Sequence, residues 1–279
     1  MKIALYALCY NETFMLPFFM RYYRPLVDRI IINDNESTDG SRELALSLGA
    51  DEVRTFSTNR QIRDDLTQIL RNNCWKELKG RGYDWIFIVD MDEFIHHADL
   101  HKHLARCDDC GVTICIPQGF QMVGTALPTY EKSLFDQIRT GFPATRFSKP
   151  IIFKPDAIVD MNFGPGSHFA DPEGVASPDV AAGLRLLHYH WLSFQWVDTN
   201  NKWRARRLSA QNLAYGWGKE YKAGRTITRK THERLLGRCI DVFKYVEPAS
   251  DAWLTRRRLR IRGQHPNENR EYLEAQGFR

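Results

Sequence analysis

The chain of 279 residues has no apolar run long enough to cross a bilayer, which excludes a helical membrane span. Its N-terminus, M-K-I-A-L-Y-A-L-C-Y-N-E-T, has no small-residue cleavage site behind an apolar core, so the chain reads as cytoplasmic rather than secreted. No G-x-G-x-x-G follows the first apolar run and no G-x-x-x-x-G-K-[ST] occurs anywhere, which argues against a dinucleotide cofactor and against a P-loop. Internal repeats and low-complexity tracts are also missing. The formal net charge is only +5. That suits an anionic ligand such as a nucleoside diphosphate, or a weak contact with a membrane surface, but does not call for nucleic acid.

Cysteine is scarce in pattern rather than in number. Of six, Cys9, Cys74, Cys115 and Cys239 lie in apolar or helical contexts without regular spacing, so buried reduced thiols are the default. Cys107 and Cys110 form one C-x-x-C, but no second pair exists to complete a structural zinc site. His101 and His103 lie just upstream and could complete it, although this is not a usual ligand spacing. The histidines at 96, 97, 101 and 103 otherwise read as an exposed helix face.

What is present centres on W-I-F-I-V-D-M-D-E-F, Trp85 to Phe94. Five apolar residues without alternation read as a strand covered on both faces, and Asp90, Asp92 and Glu93 follow at once. Ligands of open α/β sheets collect beyond the carboxyl ends of the strands. Side chains two apart on an extended segment share a face, so Asp90 and Asp92 should face one site. Two adjacent carboxylates repel unless a proton or cation lies between them, which makes D-M-D a candidate seat for a divalent metal. Acids that close a strand also begin turns or cap helices, a role open to Glu93 or Asp99.

The first third alternates strand and helix. Strands are expected at 3–8, 27–33, 52–56 and 85–89, and helices at 13–23, 40–48 and 61–79. Ser37, Thr38 and Asp39 are available to cap the second helix. Helical crossovers of this length imply parallel pairing with right-handed connections, hence a doubly wound, mostly parallel α/β sheet flanked by helices. Beyond residue 98 the pattern loosens. It suggests a short helix to Leu104, strands at 112–116, 150–153, 157–159 and 184–187, and a Gly-, Pro- and Thr-rich loop over 118–143. Helices are expected at 194–215 and 228–240, and L-T-R-R-R-L-R-I-R at 254–262 gives a basic C-terminal run. The implied division is 1–215, split at 97 into a nucleotide-binding half and an acceptor half, followed by a basic helical extension over 216–279.

Four loops should meet at the carboxyl edge of the sheet. Asp34 can accept from a base N–H or a ribose hydroxyl, and Asn11 both donates and accepts. Arg60 and Arg63 stand where a helix N-terminus and guanidinium groups favour an anion.

Y-N-E after the first strand, I-I-I-N-D-N-E-S-T-D-G-S after the second and W-I-F-I-V-D-M-D-E-F after the fourth resemble the glycosyltransferase family 2-like proteins of the GT-A fold, in a D-x-D-E-F branch. K-P-I-I-F-K-P, G-S-H and L-H-Y-H continue the likeness more weakly. The resemblance implies a metal-dependent, inverting transferase that moves a sugar from a nucleotide sugar, with UDP the expected nucleotide, to a saccharide or lipid-linked acceptor in surface polysaccharide synthesis. The basic C-terminus would then be available for peripheral membrane contact. It also implies that Asp34 binds the nucleobase, Asn11 and Glu12 line the nucleotide pocket, and Arg63 contacts the nucleotide. Asp90 and Asp92 would hold Mn2+ or Mg2+ on the diphosphate, with His188 or His168 completing the metal site. The general base would be an acid after the metal motif. Glu131, Asp136, Asp156, Asp171 and Glu173 qualify by position, Asp171 being favoured for its turn beside His168. The related pattern has a lysine and serine after the late histidine, where this chain has Leu192 and Ser193, leaving Lys202 or Arg206 to meet phosphate. Two other readings fit a strand closed by D-x-D: a phosphohydrolase or phosphotransferase, and a nucleotide-sugar-binding module without turnover.

Overall fold

Apolar runs at residues 3–9, 29–34 and 85–90 lie side by side in the computed structural model, which describes residues 1–179 and 183–245. The strands β1 (Ile3–Cys9), β2 (Arg29–Asp34), β3 (Glu52–Thr55) and β4 (Trp85–Asp90) are parallel in the spatial order β4-β1-β2-β3. Helices α1 (Leu16–Tyr23), α2 (Ser41–Ser47) and α3 (Asp64–Asn73) make the crossovers. Burial on both faces explains why β1 and β4 carry no polar alternation. The helices are shorter than the sequence suggests. α2 starts from Gly40 in the left-handed region, with the Asp39 carboxylate accepting from the N–H of its first residue, Ser41, at 3.0 Å, and α3 gives way after Asn73 to a turn of 3-10 helix at Lys76–Leu78.

The chain then runs through β5 (Glu93–His96), α4 (Leu100–Asp109), β6 (Ile114–Cys115), β7 (Gln118–Val123), α5 (Leu134–Gln137), β8 (Thr140–Pro143), β9 (Ile152–Phe153), β10 (Ile158–Asp160), β11 (Glu173–Gly174), β12 (Pro178–Asp179) and β13 (Arg185–Trp191). The segments α6 (Phe194–Arg207), α7 (Ala210–Ala214), α8 (Arg225–Leu236) and β14 (Ile240–Asp241) follow. The main sheet extends past β4 as β9, β6 and β12, and β9 is the one strand in it that runs against its neighbours. The sheet is therefore largely parallel and flanked by helices, as expected.

A second sheet, ordered β14-β8-β7-β13-β5, was not foreseen. The segment expected as a loop over 118–143 holds two of its strands, β7 and β8, paired antiparallel. Gly119 does not make a turn but admits the backbone of Phe147 and Ser148, which a Cβ there would meet at 2.3 and 2.5 Å. The helix expected over 194–215 breaks at Leu208, and Ser209 caps α7 by accepting from the backbone N–H of Asn212. Of the extension expected over 216–279, α8 and β14 fall within the described residues, and β14 pairs with β8. The basic run at 254–262 lies outside them. No helix among the described residues is long and apolar enough to cross a membrane.

Candidate active site

Strand register brings the carboxylates to one edge. Leu8 pairs with Asp90 and Cys9 with Asp34, so both acids close strands that flank β1 on the carboxyl side of the sheet. After Asp90 the chain leaves the main sheet and within three residues joins the second as β5. Met91 and Asp92 occupy the crossing. Pairing of β5 with β13 sets Glu93 opposite His188, and the Tyr189 N–H donates to the Asp92 carbonyl at 2.7 Å. Asp92 Oδ2 therefore lies 3.6 Å from His188 Nε2 and 3.8 Å from His190 Nδ1.

The tautomer of His188 follows from its neighbour. Gln121 Nε2 donates to the carbonyls of His188 at 2.9 Å and Met122 at 3.0 Å, which turns its Oε1 toward His188 Nδ1 at 3.0 Å. An amide oxygen only accepts, so Nδ1 carries the proton and Nε2 is a bare nitrogen facing Asp92. Burial holds the imidazole neutral, pushing its pKa down to about 3 against the pull of Asp92. The ring is also stacked on Phe147, with centroids 4.0 Å apart. At 3.6 Å the bare nitrogen and the carboxylate oxygen are too far apart for a hydrogen bond. Two ligands of a small divalent ion, each about 2.0–2.2 Å from it, take a comparable spacing. Metal-bound imidazoles also commonly donate their second N–H to a fixed oxygen, as His188 does to Gln121. The pair Asp92 and His188 thus fits a divalent cation. His190 does not offer the same, because its Nδ1 accepts from Arg204 Nη1 at 2.8 Å.

Asp90, in the same cleft, is paired with cations of the chain. Its carboxylate pairs with Arg71 Nη2 and lies 3.6 Å from Lys149 Nζ, while Lys149 pairs with the buried Glu93 at 2.5 Å. Burial raises the Asp90 pKa, but Arg71 and then Lys149 outweigh it and leave the carboxyl below the usual range. The repulsion expected between Asp90 and Asp92 is therefore relieved by side chains of the chain itself. Asp90, Asp92 and His188 do not close into a three-ligand set.

A cleft of about 1230 Å3 opens over these groups, lined by Asp90, Asp92, His188, Lys149 and Arg71 together with residues of α6 and α8. Glu12, Arg63 and His168 also line it. Burial and the charge of Asp92 push the Glu12 carboxyl up to about 8. Arg63 is held by both oxygens of Asp65, at 2.9 and 2.6 Å. His168 Nδ1 donates to the Arg146 carbonyl at 2.7 Å, and burial keeps it neutral with a pKa of about 3. Asp34 is 2% exposed: Oδ2 accepts from the Ser37 N–H at 3.0 Å, and Oδ1 has no hydrogen-bond partner among the described residues. Asp34 does not itself line the cleft, though its neighbours Cys9 and Asn35 do. Asn11 is exposed and clasps two loops together, accepting from the Thr38 N–H at 2.8 Å.

No family model and no curated protein matches the sequence. Among solved structures the chain is similar to S. aureus TarS, at 14% identity and a TM-score of 0.46 over 81% of this chain and 44% of that one. It is also similar to residues 1–349 of TarS in complex with UDP-GlcNAc, at 11% identity and a TM-score of 0.43 over 72% of this chain and 66% of that one. A further likeness is to glucosyl-3-phosphoglycerate synthase from Mycobacterium tuberculosis with Mn2+, UDP-glucose and phosphoglyceric acid, at 21% identity and a TM-score of 0.29 over 43% of each chain. The chain spans less than two thirds of the length of each of these proteins. The chemistry is accordingly read from the cleft itself.

Two acids expected near the reaction stand outside the cleft. Asp136 is exposed in α5, where its carboxylate accepts from the Ser133 hydroxyl at 2.6 Å. Asp171 is half-buried between β10 and β11, and neither residue lines the cleft. Lys202 and Arg206 are exposed on α6, Lys202 pairing with Asp198 at 2.8 Å. Arg204 and Arg207 of the same helix line the cleft instead, Arg207 lying 3.2 Å from the Tyr10 ring centre. Arg71, Lys149, Gln121 and Arg204 carried no distinct sequence signal, with two partial exceptions. Asp64, Thr67 and Arg71 share a helix face at spacings of three and four. Lys149 opens the K-P-I-I-F-K-P segment that the family likeness picked out.

Proposed function

We propose that the chain is a metal-assisted glycosyltransferase of GT-A type that uses a nucleotide sugar, with UDP the expected nucleotide, and transfers to a saccharide or lipid-linked acceptor. The observation that carries this reading is the bare His188 Nε2 facing the Asp92 carboxylate in a cationic cleft at the carboxyl edge of a parallel sheet. The order of the three strand-end motifs supports it independently. Asp92 and His188 would hold the ion, and a carboxylate with an imidazole suits manganese better than magnesium, which prefers oxygen alone. When bound, such an ion acts as a Lewis acid that spreads the negative charge of the departing diphosphate.

The chain's own residues do the rest. Arg204 and Arg207 present fixed positive charge to the cleft for the diphosphate, as guanidinium groups favour. Arg71 and Lys149 hold Asp90 ionised beside the metal pair, where it can accept from a ribose hydroxyl. By the family resemblance Asp34, whose unpartnered Oδ1 lies behind Cys9 and Asn35 of the cleft wall, would accept from the N3–H of uracil. The acceptor's proton would pass to a carboxylate of the cleft, where Glu12, Asp64 and Glu220 stand, rather than to Asp136 or Asp171.

Calorimetry with UDP, GDP and dTDP, each with and without Mn2+, tests this. Metal-dependent binding of UDP that disappears in Asp92→Ala is expected, together with slow hydrolysis of one UDP-sugar in a panel. Equal affinity for UDP without metal would remove the proposal.

A further inference from the structure

Away from the cleft, one cluster joins three metal-type ligands among the described residues: His103, Cys107 and Cys115. His103 and Cys107 are four apart on α4 and so share its inner face. Cys115 closes β6, and all three are buried, at 4%, 1% and 0% exposure. Their donor atoms lie within 4.8 Å of one another. The Cys107 and Cys115 sulfurs are 3.6 Å apart, and Cys107 Sγ is 3.6 Å from His103 Nε2. Asp179 on β12 brings its Oδ2 to 3.7 Å from Cys107 Sγ, with Arg106 Nη2 at 3.5 Å from the same oxygen.

These separations are informative. A disulfide would need the sulfurs about 2.05 Å apart. Tetrahedral zinc, with Zn–S of about 2.3 Å and Zn–N of about 2.0–2.1 Å, sets its ligands on edges of about 3.8 Å between sulfurs and about 3.6 Å between sulfur and nitrogen. The Cys107–Cys115 and Cys107–His103 separations, both 3.6 Å, are close to those edges, and the third lies within 4.8 Å. None of its members lines the catalytic cleft, so the transfer reaction does not account for it.

We propose that His103, Cys107 and Cys115 form a structural zinc site, with a water held by Asp179 as the fourth ligand. Binding replaces the two thiol protons, which leave to solvent, and forms two zinc–thiolate bonds with no change of oxidation state. Two thiolates neutralise Zn2+, and Arg106 balances the Asp179 carboxylate that holds the water. The ion would pin α4 to the β6 and β12 edge of the main sheet. The C-x-x-C of Cys107 and Cys110 is not the ligand pair: Cys110 is exposed beyond the end of the helix, while Cys107 turns inward.

The test is the metal content of the full chain, purified with reductant after expression in zinc-supplemented medium, and its absorption after exchange with Co2+. One zinc per chain is expected, with a thiolate-to-cobalt charge-transfer band. Both should be lost in Cys115→Ser and kept in Cys110→Ser and in Asp92→Ala, which separates this site from the cleft. Wild-type protein that holds no zinc, a Cys115→Ser variant that holds as much as wild type, or an intact mass lighter by the two hydrogens of a disulfide would each overturn the proposal. Should Cys115→Ser fail to fold, the zinc content and cobalt spectrum of the wild type decide the question.

Discussion

Replacing Gln121 with methionine separates the tautomer of His188 from everything else in the cleft. The side chain keeps its length but becomes apolar in a position that is 2% exposed, so the acceptor for His188 Nδ1–H and the donors to the Met122 and His188 carbonyls all disappear. Net hydrogen bonds of about 1 kcal/mol each put the loss of stability at roughly 1–3 kcal/mol, which lowers Tm by about 2–5 °C for a chain of this size. The imidazole is then free to move its proton to Nε2 and present a donor to Asp92 in place of a lone pair. Outer partners of metal-bound histidines typically change affinity about 10–100-fold, so the Mn2+-dependent part of UDP binding should weaken by about 1.4–2.8 kcal/mol. Titration calorimetry of UDP with and without Mn2+, run beside thermal melts, reads both quantities. Gln121→Glu is the control: it keeps an acceptor for Nδ1–H while losing both donors, so its stability should fall while its metal affinity holds. Equal metal affinity in Gln121→Met and wild type, or equal weakening in the two variants, would refute the tautomer reasoning.

Three further outcomes are expected. Lys149→Met leaves Glu93, 1% exposed, with its charge unpaired, which should cost about 3 kcal/mol in urea unfolding; adding Glu93→Gln should recover much of it, and a single variant as stable as wild type would contradict a buried pair. Asp34→Ala should weaken UDP about 10–100-fold with or without metal, and wild type should prefer UDP over CDP, whose base has no N3–H; no base preference would take Asp34 out of recognition. Burial and then Arg185 lower the His96 pKa to about 4. The unfolded state therefore binds more protons between about pH 6.5 and pH 4, and stability should fall as pH falls through that window. Solvent reaching the half-buried ring limits the loss to roughly 1–2 kcal/mol. His96→Phe should flatten that limb in urea titrations, and an unchanged pH dependence would exclude His96 as its source.

The main sheet was legible because burial on both faces forces an unbroken apolar run, and because helices between such runs demand parallel strands. Residues 3–9, 29–34 and 85–90 satisfy both conditions, and their closing residues Asp34 and Asp90 could be placed on one edge before any coordinates. The second sheet was hidden. Its strands β7 and β8 carry Gly119, Gln121 and Gly141, which read as loop residues until the backbone that Gly119 admits is known. The zinc-type cluster shows the same limit: a C-x-x-C is visible by spacing, whereas Cys115 joins His103 and Cys107 only because β6 passes α4.

Sequence alone settled which acids end the fourth strand, because a buried strand must surrender its polar residues at its end. Which partner each acid takes was decided only in three dimensions. Asp90 and Asp92 are two residues apart, yet one turns to Arg71 and Lys149 and the other to His188, since the chain changes sheets between them. Neighbours in the chain share a local pattern, but charge and proton positions answer to whatever packs against them, and those groups come from up to a hundred residues away.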